Sequence, residues 1–354
     1  MKEINGKFDT CKNLKEIDFP ADVTFTYDYV VVNCSNLTKL VINGDMTVKY
    51  GLASGCPNLK YVYLPGNNYT FNNTNGLGIA YGDKKALTYY YDYHTPANAC
   101  DIPDHDYERD KDSWVVYGGI RRDNIRRACG LFDKEGNFTP WEELISKGII
   151  TVSEDGCKVI ASSDNDNSVK KQLVGKLVIP SNVKEIGDGA FKNCTGITEL
   201  VLTNSERNVK EKVKDESNNS IYHLIWDKPH SNITSIGADA FNGCCNLASI
   251  DSLVSVKTIG DGAFRGCFAL KTIGNIGADD ISGFDGANLL NLTDIGDQAF
   301  QNCESLTEAI DLPEVLNVGK FAFSGCKASK IVLNDQVAKV GSQAFKGLKV
   351  EYGG

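Results

Sequence analysis

The sequence predicts an α/β repeat solenoid, a stack of coils of about 23 residues interrupted by inserted segments. Three observations predict it. An Ala-Phe pair recurs at Ala190-Phe191, Ala240-Phe241, Ala263-Phe264, Ala299-Phe300, Ala322-Phe323 and Ala344-Phe345, with Phe-to-Phe spacings of 50, 23, 36, 23 and 22. A cysteine follows five of these Phe residues by three: Cys194, Cys244, Cys267, Cys303 and Cys326. A short apolar alternation then follows, as in "ITELVL" from Ile197 to Leu202.

Each coil reads in the same order. An Ile-Gly or Val-Gly step opens it, at Gly187, Gly237, Gly260, Gly296, Gly319 and Gly341. The glycine suits a tight turn, and "GAF" starts a short helical turn. The cysteine is read as a small buried apolar residue, since one thiol per coil does not surround a metal ion. Cys194→Ala should therefore cost stability, about 1–3 kcal/mol, and leave binding intact. The apolar alternation is a strand whose leucines face the core. The intervening residues point outward: Lys39 and Val41, Tyr61 and Tyr63, Lys176 and Val178, Glu199 and Val201, Lys330 and Val332. Pro20, Pro65, Pro180 and Pro313 end strands. One coil alone cannot bury its apolar residues, but stacked coils can.

The N-terminal region carries the same array in weaker form. Cys11, Cys34 and Cys56 sit in "CKNL", "CSNL" and "CPNL", spaced 23 and 22 apart, ahead of strands such as "LTKLVI" and "LKYVYL". The first residues, "MKEINGKFDTC", read as a shortened repeat.

The pattern I-G-x-x-A-F-x-x-C-x-x-L-x-x-L-x-L resembles the BspA-like, Treponema-type leucine-rich repeat, over roughly residues 1–65 and 174–350. The resemblance implies a curved, right-handed leucine-rich-repeat arc with short strands lining the concave face. It also implies a bacterial, phage or protist setting, a cell-surface or extracellular location, and adhesion or protein binding without catalysis.

The period fails over residues 70–148, read as an inserted module between N-terminal repeats at 1–69 and a capping hairpin with C-terminal repeats at 149–354. Tyr81, Tyr89, Tyr90, Tyr91 and Tyr93 cluster there, followed by Arg121, Arg122, Arg126 and Arg127. Tyrosine offers stiff amphipathic contact area, and it equally suits a half-buried strand. The arginines read either as a grip on an acidic partner or as the polar face of a helix. "TPWEELISKG" predicts a helix capped by Thr139, and "GIITVSEDGCKVIAS" a hairpin. Two further insertions lengthen single coils. In "NSERNVKEKVKDESNNSIYHLIWDKPHSN" the charged part is expected to be a loop and "IYHLIW" a strand; "GADDISGFDGANLLN" adds about 13 residues.

Composition narrows the function. A net charge of −9 over 354 residues disfavours nucleic-acid binding. No apolar run reaches the ~20 residues of a membrane span, and "MKEINGKFDT" lacks the apolar core of a signal peptide. His94, Cys100, Asp104 and His105 match no common zinc spacing, and "DNDNS" lacks the Gly and distal Glu of a calcium loop. Of the off-ladder cysteines, Cys100 and Cys129 could brace the insertion as a disulfide. No nucleophile elbow, phosphate loop or dinucleotide motif is present, so neither a catalytic residue nor a cofactor is predicted. The expected binding residues are Tyr61, Tyr63, Tyr89, Tyr91, Tyr93, Arg121 and Arg122. The expected partner is a protein or glycan on a host or neighbouring subunit. The alternative is a structural subunit of a larger assembly.

Overall fold

The computed structural model describes residues 2–4, 6–20, 23–25, 29–42, 46–48, 52–64, 69–71, 88–91, 101–103, 115–116, 120–121, 125–160, 170–202, 207–214, 220–226, 231–273, 289 and 291–353. For Leu64 and the strands at 2–4, 23–25, 46–48, 69–71, 88–91, 101–103, 115–116, 120–121, 125–127, 207–214 and 220–226, it gives the backbone alone. The chain divides into two compact units: Met1–Ala128 with Ser205–Asp227, and Cys129–Asn204 with Lys228–Gly354.

In the first unit each coil contributes a strand to three parallel stacks. Lys2–Ile4, Val23–Phe25, Met46–Val48 and Tyr69–Phe71 form one. Phe8–Asp9, Val31–Val32 and Ala53–Ser54 form the second. The leucine strands Glu16–Phe19, Lys39–Ile42 and Tyr61–Leu64 form the third. That third sheet continues through Thr88–Tyr91 and Ile125–Arg127, both within the region expected to be inserted. Each coil returns to the same sheet one strand further on. Such a parallel crossover is right-handed because twisted strands pack back only that way.

In the second unit the Ile-Gly steps build an eight-stranded sheet that runs from Thr151–Val152 to Lys339–Val340. The expected hairpin is there: Thr151–Val152 and Lys158–Ile160 pair antiparallel and head this sheet. The leucine strands form a second sheet, headed by the antiparallel pair Gly130–Phe132 and Phe138–Pro140 and continuing from Gly175–Val178 to Thr272–Ile273. It resumes as Ile310–Leu312, Ile331–Leu333 and Val350–Tyr352. The interruption coincides with the third insertion, of which 277–288 and 290 lie outside the described residues. The eight-stranded sheet carries on past it, with Thr258 paired to Asp294 and Ile259 to Ile295.

The helix Trp141–Ser146 starts later than expected. Thr139 lies in a strand, and Pro140 takes the cap position with ψ 150° and no side-chain cap. The Trp141 N–H is satisfied instead by the Cys129 carbonyl at 2.8 Å. The helical turn expected at "GAF" is reduced to hydrogen bonds from residue i+3 to i, such as Ala190 N–H to the Gly187 carbonyl at 3.2 Å.

Three columns hold the second unit. The phenylalanines stack: Phe191, Phe241, Phe264, Phe300, Phe323 and Phe345 have successive ring centroids 5.1, 5.3, 5.2, 5.1 and 5.8 Å apart, with planes within 19° of parallel. The spacing follows the ~4.8 Å between neighbouring strands, which forces equivalent rings on successive coils into offset stacking.

The second column is the Ile-Gly glycine, and its role differs from the expected tight turn. A Cβ at Gly260 would lie 2.5 Å from Ala238 N and 2.7 Å from Gly237 C; at Gly319 it would lie 2.3 Å from Asp297 N. These glycines sit where one coil's backbone rests on the next, so the constraint is room rather than backbone angle.

The third column is the cysteines, described below. Left-handed backbone is needed elsewhere, at the residue before each Ala-Phe pair. Gly189 (φ 61°) and Gly262 (φ 62°) meet it without strain, while Asp239, Gln298, Phe321 and Gln343 adopt φ of 54–59°. Gln343 is exposed. Gln343→Gly is therefore expected to stabilise the protein by about 1 kcal/mol, read as a higher urea midpoint at unchanged slope.

Candidate functional site

The cysteines were the first chemical candidates, and the structure gives them a packing role with a polar component. Cys194, Cys244, Cys267 and Cys303 are fully buried. Each thiol from Cys244 onward donates to the Phe carbonyl of the preceding coil: Cys244 Sγ to Phe191 O at 3.1 Å, Cys267 to Phe241 at 3.3 Å, Cys303 to Phe264 at 3.2 Å and Cys326 to Phe300 at 3.1 Å. The same carbonyl takes the N–H of its own coil's cysteine, as Phe191 O does from Cys194 N at 3.0 Å. A cysteine thus fills the core and satisfies an inter-coil acceptor, which alanine would not do.

Burial pushes the Cys194 and Cys267 thiols up to about 12, and raises Cys244 and Cys303 well above the ordinary thiol range. The thiolate is the reactive form, so these sulfurs are inert. Native alkylation with iodoacetamide at pH 8 is expected to spare Cys244, Cys267 and Cys303 and to modify the half-buried Cys157 and Cys245. Peptide mass mapping would show this, and labelling at Cys267 would contradict it.

Among the described residues no group of His, Cys, Asp and Glu could hold a metal ion, and no helix is long and apolar enough to cross a membrane. His94, Cys100, Asp104, His105 and the "DNDNS" segment lie outside the described residues, and with Cys100 so does the Cys100–Cys129 pairing.

The expected binding rows stand on the leucine strands of the first unit. Parallel register places Glu16, Lys39, Tyr61 and Thr88 side by side in one row. Asp18, Val41, Tyr63, Tyr90 and Arg126 form the next. Between them lie the core positions Ile17, Leu40 and Val62, and Leu40 and Val62 are fully buried. The alternation is as expected, but the outward residues are not all open. Lys39, Val41 and Tyr63 are only 3–5% exposed, whereas Glu16 and Asp18 are exposed and Tyr61 is half-buried. The Lys39 stem lies closed in, and its amine reaches Glu16 Oε2 at 3.4 Å, at a carboxylate that is itself open to water.

In the second unit the outward Val178 and Val201 are likewise buried, while Glu199 is exposed and Lys176 and Lys330 are half-buried. A short side chain flanked by strands ~4.8 Å away on both sides has little left to expose. Beside Val201, the buried Asp251 accepts the Leu202 and Ser252 N–H groups, each at 2.7 Å. It ties down the chain where the second insertion leaves the repeat.

Tyr89 and Tyr91 take register positions beside Val62 and Leu64, whereas Tyr90 takes the position beside Tyr63. Tyr93 and Arg122 lie outside the described residues; Arg121 is paired with Val115 in a two-stranded hairpin. The second insertion also departs from expectation. Its charged part is not a loop but the strand Arg207–Lys214, which pairs antiparallel with Ser220–Trp226, the strand expected from "IYHLIW". Asp101–Pro103, from the first insertion, pairs on the far side of Ser220–Trp226, so the two insertions share one sheet in the first unit.

A family model described as the BspA type leucine rich repeat region matches residues 3–77, 165–281 and 287–351, in six copies. The chain belongs to the BspA-type leucine-rich repeat family. Proteins built from such repeats are in general protein-binding scaffolds rather than enzymes. No curated protein matches the chain. Among solved structures, a leucine-rich repeat protein of T. pallidum is 18% identical, with 57% of this chain and 81% of that one covered and a TM-score of 0.34. A leucine rich cell surface protein from Faecalibacterium prausnitzii is 16% identical, covering 100% and 83% with a TM-score of 0.30. The pneumococcal vaccine antigen PcpA is 13% identical, covering 98% and 74% with a TM-score of 0.28.

Proposed function

We propose that this BspA-type repeat protein is a non-enzymatic adhesion protein, acting at the cell surface or outside the cell, that holds a protein or glycan partner against its first unit. The observation that supports this best is the five-stranded parallel sheet, whose outer rows carry Glu16, Asp18 and Tyr61 open or half-open to solvent. The sheet runs on into the tyrosine and arginine segments, so repeat and insertion offer one continuous strip. Tyr61, with Tyr63 behind it, Tyr90 and Arg126 of the Tyr63 row, and the neighbouring Tyr93, Arg121 and Arg122 are the residues assigned to contact; Tyr89 and Tyr91, which take the register positions of Val62 and Leu64, are left out. A flat strip of tyrosine and single charges suits protein contact, because a small ligand needs a closed pocket.

Tyr61→Ser tests the reading. A partner captured by the wild-type chain from surface extracts is expected to bind the variant about tenfold more weakly or worse, as for an aromatic contact residue. Unchanged binding by Tyr61→Ser would overturn it.

The second reading, a structural subunit of a larger assembly, is favoured by Val340 and Tyr352, 46% and 67% exposed on edge strands of the second unit. Light scattering separates the two, since a stable monomer argues against assembly.

A further inference from the structure

The sheet shared by the two insertions sorts its charges by face. Strand register pairs Arg207 with Trp226, Lys210 with Leu224, Lys212 with Tyr222 and Lys214 with Ser220, and Ile102 stands beside Tyr222. Two-residue alternation puts Lys210, Lys212 and Lys214, with Leu224, Tyr222, Ser220 and Ile102, on one face, and a register shift separates Arg207 from them. That face has three cationic positions and, among the described residues, no acidic one. The opposite face has the row Asp101, His223 and Glu211 and the row Pro103, Ile221 and Val213. Its acids therefore flank a histidine, and its remaining positions are aliphatic. Three like charges without a counter-charge on their own face are costly to bury, so the lysine face is the one suited to water or to an anionic partner.

The lysine strand is also an edge. Arg207–Lys214 is eight residues long, and its only partner among the described strands is Ser220–Trp226. Among the described residues no strand lies on its other side. Lysines on an edge strand turn away most incoming strands, but they do not turn away an acidic one.

We propose that the Arg207–Lys214 edge is a docking site for an extended acidic peptide, which adds to the sheet as a strand and sets alternate carboxylates beside Lys210, Lys212 and Lys214. In an extended strand those lysines recur every ~6.8 Å, the same repeat as alternate residues of the added strand. Main-chain hydrogen bonds supply affinity, and cross-strand ion pairs supply selection. This edge is separate from the Tyr61 rows and does not rest on them.

The probe is a synthetic decapeptide of alternating Glu and Thr, titrated by fluorescence anisotropy against the full chain. Two comparison peptides have the same composition: one with Glu and Thr in separate blocks, the other N-methylated at alternate amides. The alternating peptide is expected to bind at least about tenfold more tightly than either. A Lys210→Gln, Lys212→Gln, Lys214→Gln variant is expected to lose that binding, while Lys327→Gln, Lys346→Gln, Lys349→Gln, removing equal charge elsewhere, keeps it. Far-ultraviolet circular dichroism checks that both variants are folded. The proposal is overturned by absence of binding, by equal binding of the N-methylated or blocked peptide, or by equal loss in both variants. It is overturned as well if heparin or a single-stranded oligonucleotide competes as well as the alternating peptide does, because the edge is then a general anion patch. Loss of the Tyr61-dependent interaction would leave every one of these outcomes unchanged.

Discussion

Phe264→Ala is expected to cost about 4 kcal/mol of unfolding free energy, the largest single loss in the second unit. The ring is fully buried and stacked on both sides, 5.3 Å from Phe241 and 5.2 Å from Phe300. Truncation removes the transfer energy of a full aromatic side chain and leaves a cavity between two coils. The neighbouring coils cannot collapse into it, because their spacing is set by the strands on either side. Phe345→Ala provides the contrast. Phe345 is half-buried and has one stacked neighbour, Phe323, at 5.8 Å, so about 2 kcal/mol is expected. Urea unfolding of the two variants should rank them in that order. Equal losses would mean that the rings pack independently of the column.

The second large effect is Gly296→Ala, expected to cost about 3 kcal/mol. Its Cβ would meet Asp261 N and Oδ1 at 2.5 Å and Gly260 C at 2.6 Å, and all but the carboxylate oxygen belong to the backbone just after the strand Thr258–Ile259, which the Gly260 N–H holds to the Ile236 carbonyl at 2.8 Å. To admit the methyl group, two coils must part and lose their ladder, which includes Gly296 N–H to Ile259 O at 2.8 Å. Gly189→Ala is the control. Gly189 has φ 61° and open space where its Cβ would stand, so only the left-handed strain of about 1 kcal/mol applies. If both alanines cost the same, backbone angle rather than coil contact governs the glycines.

The repeat itself was legible because its columns are written in sequence at a fixed interval. An Ala-Phe pair, a cysteine three residues on and alternating leucines mean that equivalent residues must meet on successive coils. The physical reason for each column was less legible. A glycine that permits a turn and one that permits backbone contact look alike in sequence; Gly189 and Gly260 differ only once the neighbouring coil is in place. The thiol hydrogen bond from Cys244 to Phe191 O was hidden for the same reason, since its acceptor belongs to another coil.

Non-local pairing also explains what was missed in the insertions. "RNVKEKVK" has too little apolar content to announce a strand by itself, and it becomes one by pairing with Ser220–Trp226. Nothing local in Asp101–Pro103 points to Ser220–Trp226, more than a hundred residues away. Similarly, the spacing of tyrosines could not decide which of Tyr89, Tyr90 and Tyr91 shares a row with Tyr63, because a shift of one residue moves every side chain to the other face.

The central claim is that the columns hold the fold while binding lies on the outer rows. The most direct test measures unfolding midpoint and partner affinity together for Cys34→Ala, in a buried column of the first unit, and Tyr61→Ser, on its outer row. Cys34→Ala is expected to lose about 1–3 kcal/mol of stability with affinity unchanged. Tyr61→Ser is expected to lose at most about 1 kcal/mol of stability while affinity falls about tenfold or more. Affinity lost by folded Cys34→Ala, or retained by Tyr61→Ser, would contradict the claim.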